Sequence, residues 1–181
     1  MSPALDVNDA LDATFVPHTV TGTLDIDEFI VGDEAFAVQA PASYSVTLTA
    51  LEDGIVASGE VALPVVADCS RCLEPFQTAI TSAVDTMFYY EPTLDEDGDP
   101  YPIVDEYGHI DLESELIEDL IVAAPLAPIH DQDCKGLCAI CGVDRNTTAC
   151  TCADDLLDET HPFAQLDEIL GSAKSSGGER Q

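Results

Sequence analysis

Tyr44 to Leu51 reads YSVTLTAL, and the three residues that follow are Glu52, Asp53 and Gly54. Apolar and hydroxyl side chains alternate through the first stretch, the period-two pattern of a strand with one face in a core. Glu52-Asp53-Gly54 supplies turn chemistry, its glycine free to take φ values closed to other residues. Ile55 to Ala67 then resumes as IVASGEVALPVVA, so the whole segment predicts an antiparallel hairpin. Pro64 has no N–H to give a ladder and predicts an edge position or a bulge near the end of the second strand. Downstream, Phe76 to Tyr90 reads as a third strand, alternating most clearly from Thr78 to Thr86. Upstream, strand-like patterning begins at Val20, whereas residues 1–18 carry little periodicity and are expected to be a flexible N-terminus.

Glu91 to Tyr107 is rich in proline, glycine and acids, and reads as a solvated connector. A calcium loop is the competing reading, but the acids lack EF-hand spacing and its closing glutamate. Asp111 then stands as an N-cap, with Glu113 and Glu115 in the first turn. Leu112, Leu116, Leu120 and Ala123, joined by Ile117 and Ile121, make an apolar stripe over three turns, and Pro125 ends that helix. Near the C-terminus, Pro162 suits the first position of a short helix. Phe163, Leu166, Ile169 and Leu170 form its apolar face, which either docks on the sheet or presents itself to a partner. The fold class expected is α+β: an antiparallel β-sheet with one main helix, a C-terminal zinc-knuckle module and a short terminal helix. The corresponding spans are an α+β domain over 19–128, a cysteine-rich metal module over 129–153, a helical segment over 154–170 and a disordered tail over 171–181.

Seven cysteines punctuate this pattern. Cys69 and Cys72 form a C-x-x-C pair at the turn between the second and third strands, a rigid place for ligands. Cys138-Ala-Ile-Cys141-Gly142 reads as a metal knuckle, because the glycine lets the backbone turn and aim amides at thiolate sulfur. Cys150 and Cys152 supply a second close pair. Cys138, Cys141, Cys150 and Cys152 thus make one tetrahedral thiolate site, with zinc the metal expected. Cys69, Cys72 and Cys134 are one ligand short of a second site, and His130 supplies it by count, for two zinc ions in all. Two alternatives stay open. Cys69 and Cys72 can pair instead with the knuckle, and His130 can be an ordinary polar loop residue. Disulfides are disfavoured because the start, MSPALDVNDALD, lacks the apolar core of a signal peptide, which places the chain in a reducing cytoplasm. A redox dithiol at Cys69 and Cys72 lacks the βαβ surroundings of such motifs, and spacing alone does not separate zinc from iron–sulfur ligation.

Composition bounds the function. The chain has 181 residues, 46% of them hydrophobic, which suits a globular domain with a small appended module. No apolar run approaches the roughly 18 residues of a membrane span. Thirty-six acids face five bases, for a formal charge of −31, and no lysine or arginine lies between Arg71 and Lys135. Nucleic-acid binding driven by phosphate contacts needs clustered cations; here only a local patch of Arg71, Lys135 and Arg145 is available. An acidic surface suits a basic partner, although a proteome-wide acidity would leave the same signature. No phosphate-cradling glycine loop, nucleophile elbow or open metal site appears, so a non-enzymatic role is expected and no catalytic residue is assigned.

Several stretches together resemble the bacterial YceD family, the large ribosomal RNA subunit accumulation proteins. They are Asp68-Cys69-Ser70-Arg71-Cys72-Leu73-Glu74-Pro75-Phe76, the helix from Ile110-Asp111-Leu112 to Pro125-Leu126, and Pro128-Ile129-His130. Cys134-Lys135-Gly136-Leu137-Cys138 with Cys141-Gly142, and Pro162-Phe163-Ala164, complete the set. The likeness runs roughly from Val20 to Leu170. It departs at Ala139, where such knuckles commonly carry proline, and at His161, where Asn or Asp would cap more strongly. The resemblance implies a cytoplasmic factor in large-subunit biogenesis that supports ribosomal RNA accumulation. It also implies two separable metal sites, Cys69, Cys72, His130 and Cys134 being the more general one. Engagement of a basic large-subunit ribosomal protein or a pre-ribosomal particle is the expected mode, with direct ribosomal RNA binding and a redox-switched Cys69–Cys72 pair as alternatives.

Overall fold

The structure, a computed structural model, describes residues 4–95 and 97–152. The chain divides into two compact units: residues up to 69 with 74–130, and residues 70–73 with those from 131 onward. The expected terminal helix over 154–170, its residues Pro162, Phe163, Leu166, Ile169 and Leu170, and the tail lie outside the described residues.

The larger unit is an antiparallel sheet with a helix. Its strands are β1 (Leu5–Asp6), β2 (His18–Leu24), β3 (Phe29–Val31), β4 (Glu34–Val38), β5 (Ala42–Ala50), β6 (Gly54–Asp68), β7 (Pro75–Tyr89) and β8 (His109–Ile110). The helices are α1 (Asn8–Leu11) and α2 (Leu112–Ala123). In the main sheet β6 is central. One of its edges pairs with β7 along the full length, from Gly54 opposite Tyr89 to Asp68 opposite Pro75. The other edge pairs first with β5, Ile55 opposite Ala50 through Ala62 opposite Ser43, and then with β4 at Val65 and Val66. β2 continues the sheet beyond β5, and β3 pairs with β4.

The alternation read from the sequence decides which face is buried. Val46 and Leu48 of β5, Ile55, Val61, Leu63 and Val65 of β6, and Ile80, Val84 and Phe88 of β7 are buried. Leu112, Leu116 and Leu120 of α2 close over this face, chiefly against β7. The cap is as the sequence predicts: the Asp111 carboxylate accepts from Ser114 N–H at 3.2 Å, and Pro125 follows the last turn. Ile121 departs from the predicted stripe and stays 43% exposed.

Pro64 is neither on a free edge nor in a bulge. Its carbonyl accepts from Gln39 N–H at 3.0 Å, on the edge where β6 passes from β5 to β4. A strand residue points its N–H and C=O to the same side, so the missing donor falls at this change of neighbour and breaks no ladder bond. The N-terminal residues also differ from expectation. β1 pairs with β8, Val7 and Ala10 are each only 2% exposed, and Asn8 Nδ2 donates to the Tyr107 carbonyl at 3.1 Å. Two buried residues are too few to give a period, which is why the sequence pattern is silent there. The acidic connector is turned in on itself. Asp95 Oδ1 accepts from the amides of Asp97 and Asp99, and Asp105 Oδ1 from those of Tyr107 and His109.

Candidate metal centres

The β6–β7 hairpin continues past its last paired residues, with Cys69 N–H donating to the Glu74 carbonyl at 3.0 Å, and so presents Cys69 and Cys72 at its tip. Leu73, just after Cys72, has φ 60°, and Gly142, just after Cys141, has φ 71°. The two C-x-x-C segments share a left-handed residue at the same place, glycine in one and a strained leucine in the other.

In the smaller unit, Gly136 takes φ 68°, and Leu137 and Asp144 form an antiparallel bridge. Cys138 N–H donates to the Val143 carbonyl and Gly142 N–H to the Cys138 carbonyl, each at 2.8 Å. This narrow turn aims the amides of Cys141 and Ile140 at Cys138 Sγ. Those two amides, with the Cys150 thiol, draw the Cys138 thiol down to about 6. The neighbours move the other way: the Cys138 thiol beside it raises Cys150, and Cys141 with Cys150 pushes Cys152 up to about 12. Sulfurs this crowded cannot all shed protons without a compensating cation.

The structure brings the eight candidate ligands together in two groups. Cys138, Cys141, Cys150 and Cys152 have their sulfurs within 4.8 Å of one another, and so do the ligand atoms of Cys69, Cys72, His130 and Cys134. In the first group Cys141 and Cys150 are 3.9 Å apart and Cys150 and Cys138 3.3 Å. A zinc–sulfur bond of about 2.3 Å implies a tetrahedron edge of roughly 3.8 Å, whereas a disulfide needs about 2.05 Å. The donor set and spacing therefore fit a four-coordinate thiophilic ion. In the second group the three cysteines are buried while His130 is exposed, and the His130 ring meets Phe76 edge-on at 6.2 Å between centroids. Cys69 and Cys72 thus fall within reach of His130 and Cys134, and the knuckle cysteines within reach of Cys150 and Cys152.

Three supporting residues escape a reading by motif. Arg71 Nη1 donates to the carbonyls of Gln132 and Cys134 at 2.9 and 3.0 Å, and its own carbonyl accepts from Leu137 N–H at 2.9 Å. Asn146 Nδ2 donates to Cys134 Sγ at 3.4 Å while its Oδ1 accepts from Lys135 N–H at 2.8 Å. A Cβ on Gly136 would meet the Arg71 carbonyl oxygen at 2.9 Å. Such contacts orient ligands and tune sulfur basicity. Arg71 is thus occupied as a clamp, which draws its charge away from the RNA patch considered above. Among the described residues no helix is long and apolar enough to cross a membrane.

Comparison with known proteins places these features. The family model for large ribosomal RNA subunit accumulation protein YceD matches residues 57–170. An uncharacterized protein of Mycobacterium tuberculosis is 33% identical over 120 residues, covering 62% of this chain and 56% of the relative. One of Mycobacterium leprae is 32% identical over 108 residues, covering 57% and 48%. The large ribosomal RNA subunit accumulation protein YceD of Haemophilus influenzae is 31% identical over 86 residues, covering 44% and 47%. The chain thus spans about half the length of the curated relatives it matches, and no solved structure matches it significantly. The matched span takes in most of β6, all of β7 and α2, and both cysteine groups; the chain belongs to the YceD family of large ribosomal RNA subunit accumulation proteins.

Proposed function

We propose that this chain is a non-enzymatic, cytoplasmic ribosome biogenesis factor that supports accumulation of large-subunit ribosomal RNA by engaging a basic ribosomal protein or pre-ribosomal particle. The observation that carries the reading is the charge of the larger unit: residues 1–69 and 74–130 contain no lysine or arginine at all. A surface of one sign attracts a basic partner and accelerates its encounter, and salt weakens both effects. Nucleic-acid phosphates would be repelled by the same surface.

In this reading both ligand groups hold zinc: Cys138, Cys141, Cys150 and Cys152 in one site, Cys69, Cys72, His130 and Cys134 in the other. Four protein ligands leave no open position, so the ions serve folding rather than turnover, at about 10–16 kcal/mol per structural site in small zinc modules. Pull-down with the full chain at low and high salt tests the partner. Recovery of a basic large-subunit component at low salt and its loss at high salt is expected; recovery indifferent to salt, or none, ends this reading.

Direct RNA contact is the second reading, favoured by one fact: Lys135 and Arg145 both lie in the smaller unit, beside Arg71, which is held as a clamp. Filter binding of large-subunit RNA to wild type and Lys135→Ala/Arg145→Ala separates it from escort.

A further inference from the structure

Among the described residues the outer edge of β7 is long, open and almost uncharged. Tyr89 exchanges hydrogen bonds with a neighbouring segment, its N–H to the Pro102 carbonyl and its carbonyl from Val104 N–H, each at 2.9 Å. Tyr89 therefore points its backbone away from β6, and by the two-residue period so do Met87, Asp85, Ala83, Thr81, Ala79 and Gln77. Among the described residues no strand pairs with that edge beyond Tyr89. The open run spans roughly 35 Å at strand spacing. Edges of this length are normally blunted by lysine, proline or bulges. Here Gln77 to Met87 contain one charged side chain, Asp85, and the register to β6 is unbroken.

The ground beside this edge is acidic in a specific way. α2 packs chiefly on β7. Glu113 and Leu116 lie on the flank of α2 toward Leu5 and Tyr44, whereas Glu115 reaches Thr86 of β7 on the opposite flank. Asp119 follows Glu115 by one turn on that flank, and its Oδ2 is out of solvent with no hydrogen-bond partner among the described residues. A carboxylate oxygen without a partner, on the helix flank from which Glu115 reaches Thr86, would be satisfied by an incoming cation.

We infer that the outer edge of β7 receives an extended basic segment of the partner as an added strand, whose lysine or arginine side chains on the α2 side pair with Glu115 and Asp119. Main-chain hydrogen bonds to Gln77–Met87 supply the docking and the two acids the selection for basic sequence. This rests on the escort reading and gives it a surface and a geometry.

The probe is a synthetic peptide of about twelve residues alternating lysine with threonine, long enough to match the edge, with a glutamate–threonine peptide as control. The full-length, metal-replete chain is followed by amide hydrogen exchange. Without peptide, the outward amides of Thr81, Ala83, Asp85 and Met87 exchange quickly while those of Thr78, Ile80, Ser82 and Val84 stay protected. The basic peptide is expected to protect the outward set, and the acidic one is not. Ala83→Pro removes an outward donor and leaves the β6 ladder whole, and should weaken binding by about tenfold or more. Glu115→Gln/Asp119→Asn leaves the backbone untouched and should weaken it about fivefold at low salt.

Binding without protection of the outward amides overturns the inference, as does equal binding of the acidic peptide or no binding at all. Outward amides already protected in the free chain overturn it too. Protection that grows with protein concentration would assign the edge to a second copy, and protection independent of concentration to the chain's own residues beyond 152. Pull-down with Ala83→Pro keeps the two readings apart. If it recovers the basic component as well as wild type does, escort stands and the β7 edge is wrong; if wild type recovers none, escort itself fails.

Discussion

Among the described residues Leu73 is the one non-glycine residue held at positive φ beside the candidate ligands, with its side chain 64% exposed. The left-handed region costs a branched L-residue about 1–2 kcal/mol, and an exposed side chain returns little through packing. Asparagine takes this conformation more readily and avoids the unfolded-state freedom of glycine. Leu73→Asn should therefore stabilise the protein by about 0.5–1 kcal/mol, read as a melting temperature raised by a few degrees. A fall would mean that Leu73 packs against something its exposure conceals. Arg71 is the opposite case. Arg71→Ala removes two charge-assisted bonds to the carbonyls of Gln132 and Cys134, and a loss of about 1–2 kcal/mol is expected after allowing for its exposure. Arg71→Lys should recover only part of it, because an ammonium cannot keep the planar reach of guanidinium. Faster loss of zinc to a competing chelator in Arg71→Ala, with Arg71→Lys between it and wild type, is the measurement. These roles were illegible beforehand because each bond joins residues some sixty positions apart, and no spacing rule reaches so far.

At the level of single elements, legibility followed locality. α2 matched its expected bounds because cap, stripe and terminating Pro125 all sit within one short window. β6 and β7 were visible from alternation alone. What alternation could not supply was the neighbour: that β6 trades β5 for β4 near Pro64 depends on chain returning from elsewhere. Gly59 shows the same limit. A Cβ there would overlap the Ser45 carbonyl of β5, backbone that cannot swing away. Gly59→Ala should cost about 2–4 kcal/mol and lower the denaturant midpoint with little change in slope, whereas a strand glycine with open space at its Cβ position would gain slightly from alanine. In α2, burial raises the Glu115 carboxyl above its usual value, with Glu118, Asp119 and Asp111 adding to it; burial and Glu118 raise Asp119. A raised folded pKa means the native state binds the proton more tightly, so stability is lost as pH climbs through that value. Glu115→Gln should stabilise by about 0.5 kcal/mol at pH 7, a screened-surface magnitude. That advantage should vanish below the ordinary glutamate value of 4.5. An advantage unchanged between pH 7 and about pH 4 would trace the effect to packing instead.

For the molecule as a whole, two groups of possible ligands were countable from sequence because cysteine declares its chemistry by type and spacing, whereas the acidity gave no position. The two units draw on different sources of stability, apolar burial in one and, as proposed, metal in the other. Chelation should accordingly abolish protection of amides from Asp131 to Cys152 while the β6–β7 pairing persists, a two-step loss visible by hydrogen exchange. Salt probes the larger unit. Proteins stabilised by surface ion pairs weaken or hold steady as ionic strength rises. This chain has a net charge of −31, its larger unit carries no lysine or arginine, and the carboxylate–histidine contact seen at its surface, His109 Nδ1 with Asp105 at 3.3 Å, is an i,i+4 contact within one turn. Folding therefore gathers like charges with almost no attraction for salt to screen. Raising sodium chloride from about 0.02 to 0.5 M shortens the screening length from roughly 20 to 4 Å, just below the spacing of about 5 Å between neighbouring strands' side chains on one face. The melting temperature of the metal-replete chain should climb by about 5 °C or more, and a bulky partner polycation at micromolar concentration should do the same at low salt only. A flat or falling curve would show that the acids are already spread widely enough to ignore one another, and would remove the electrostatic attraction on which capture of a basic partner depends.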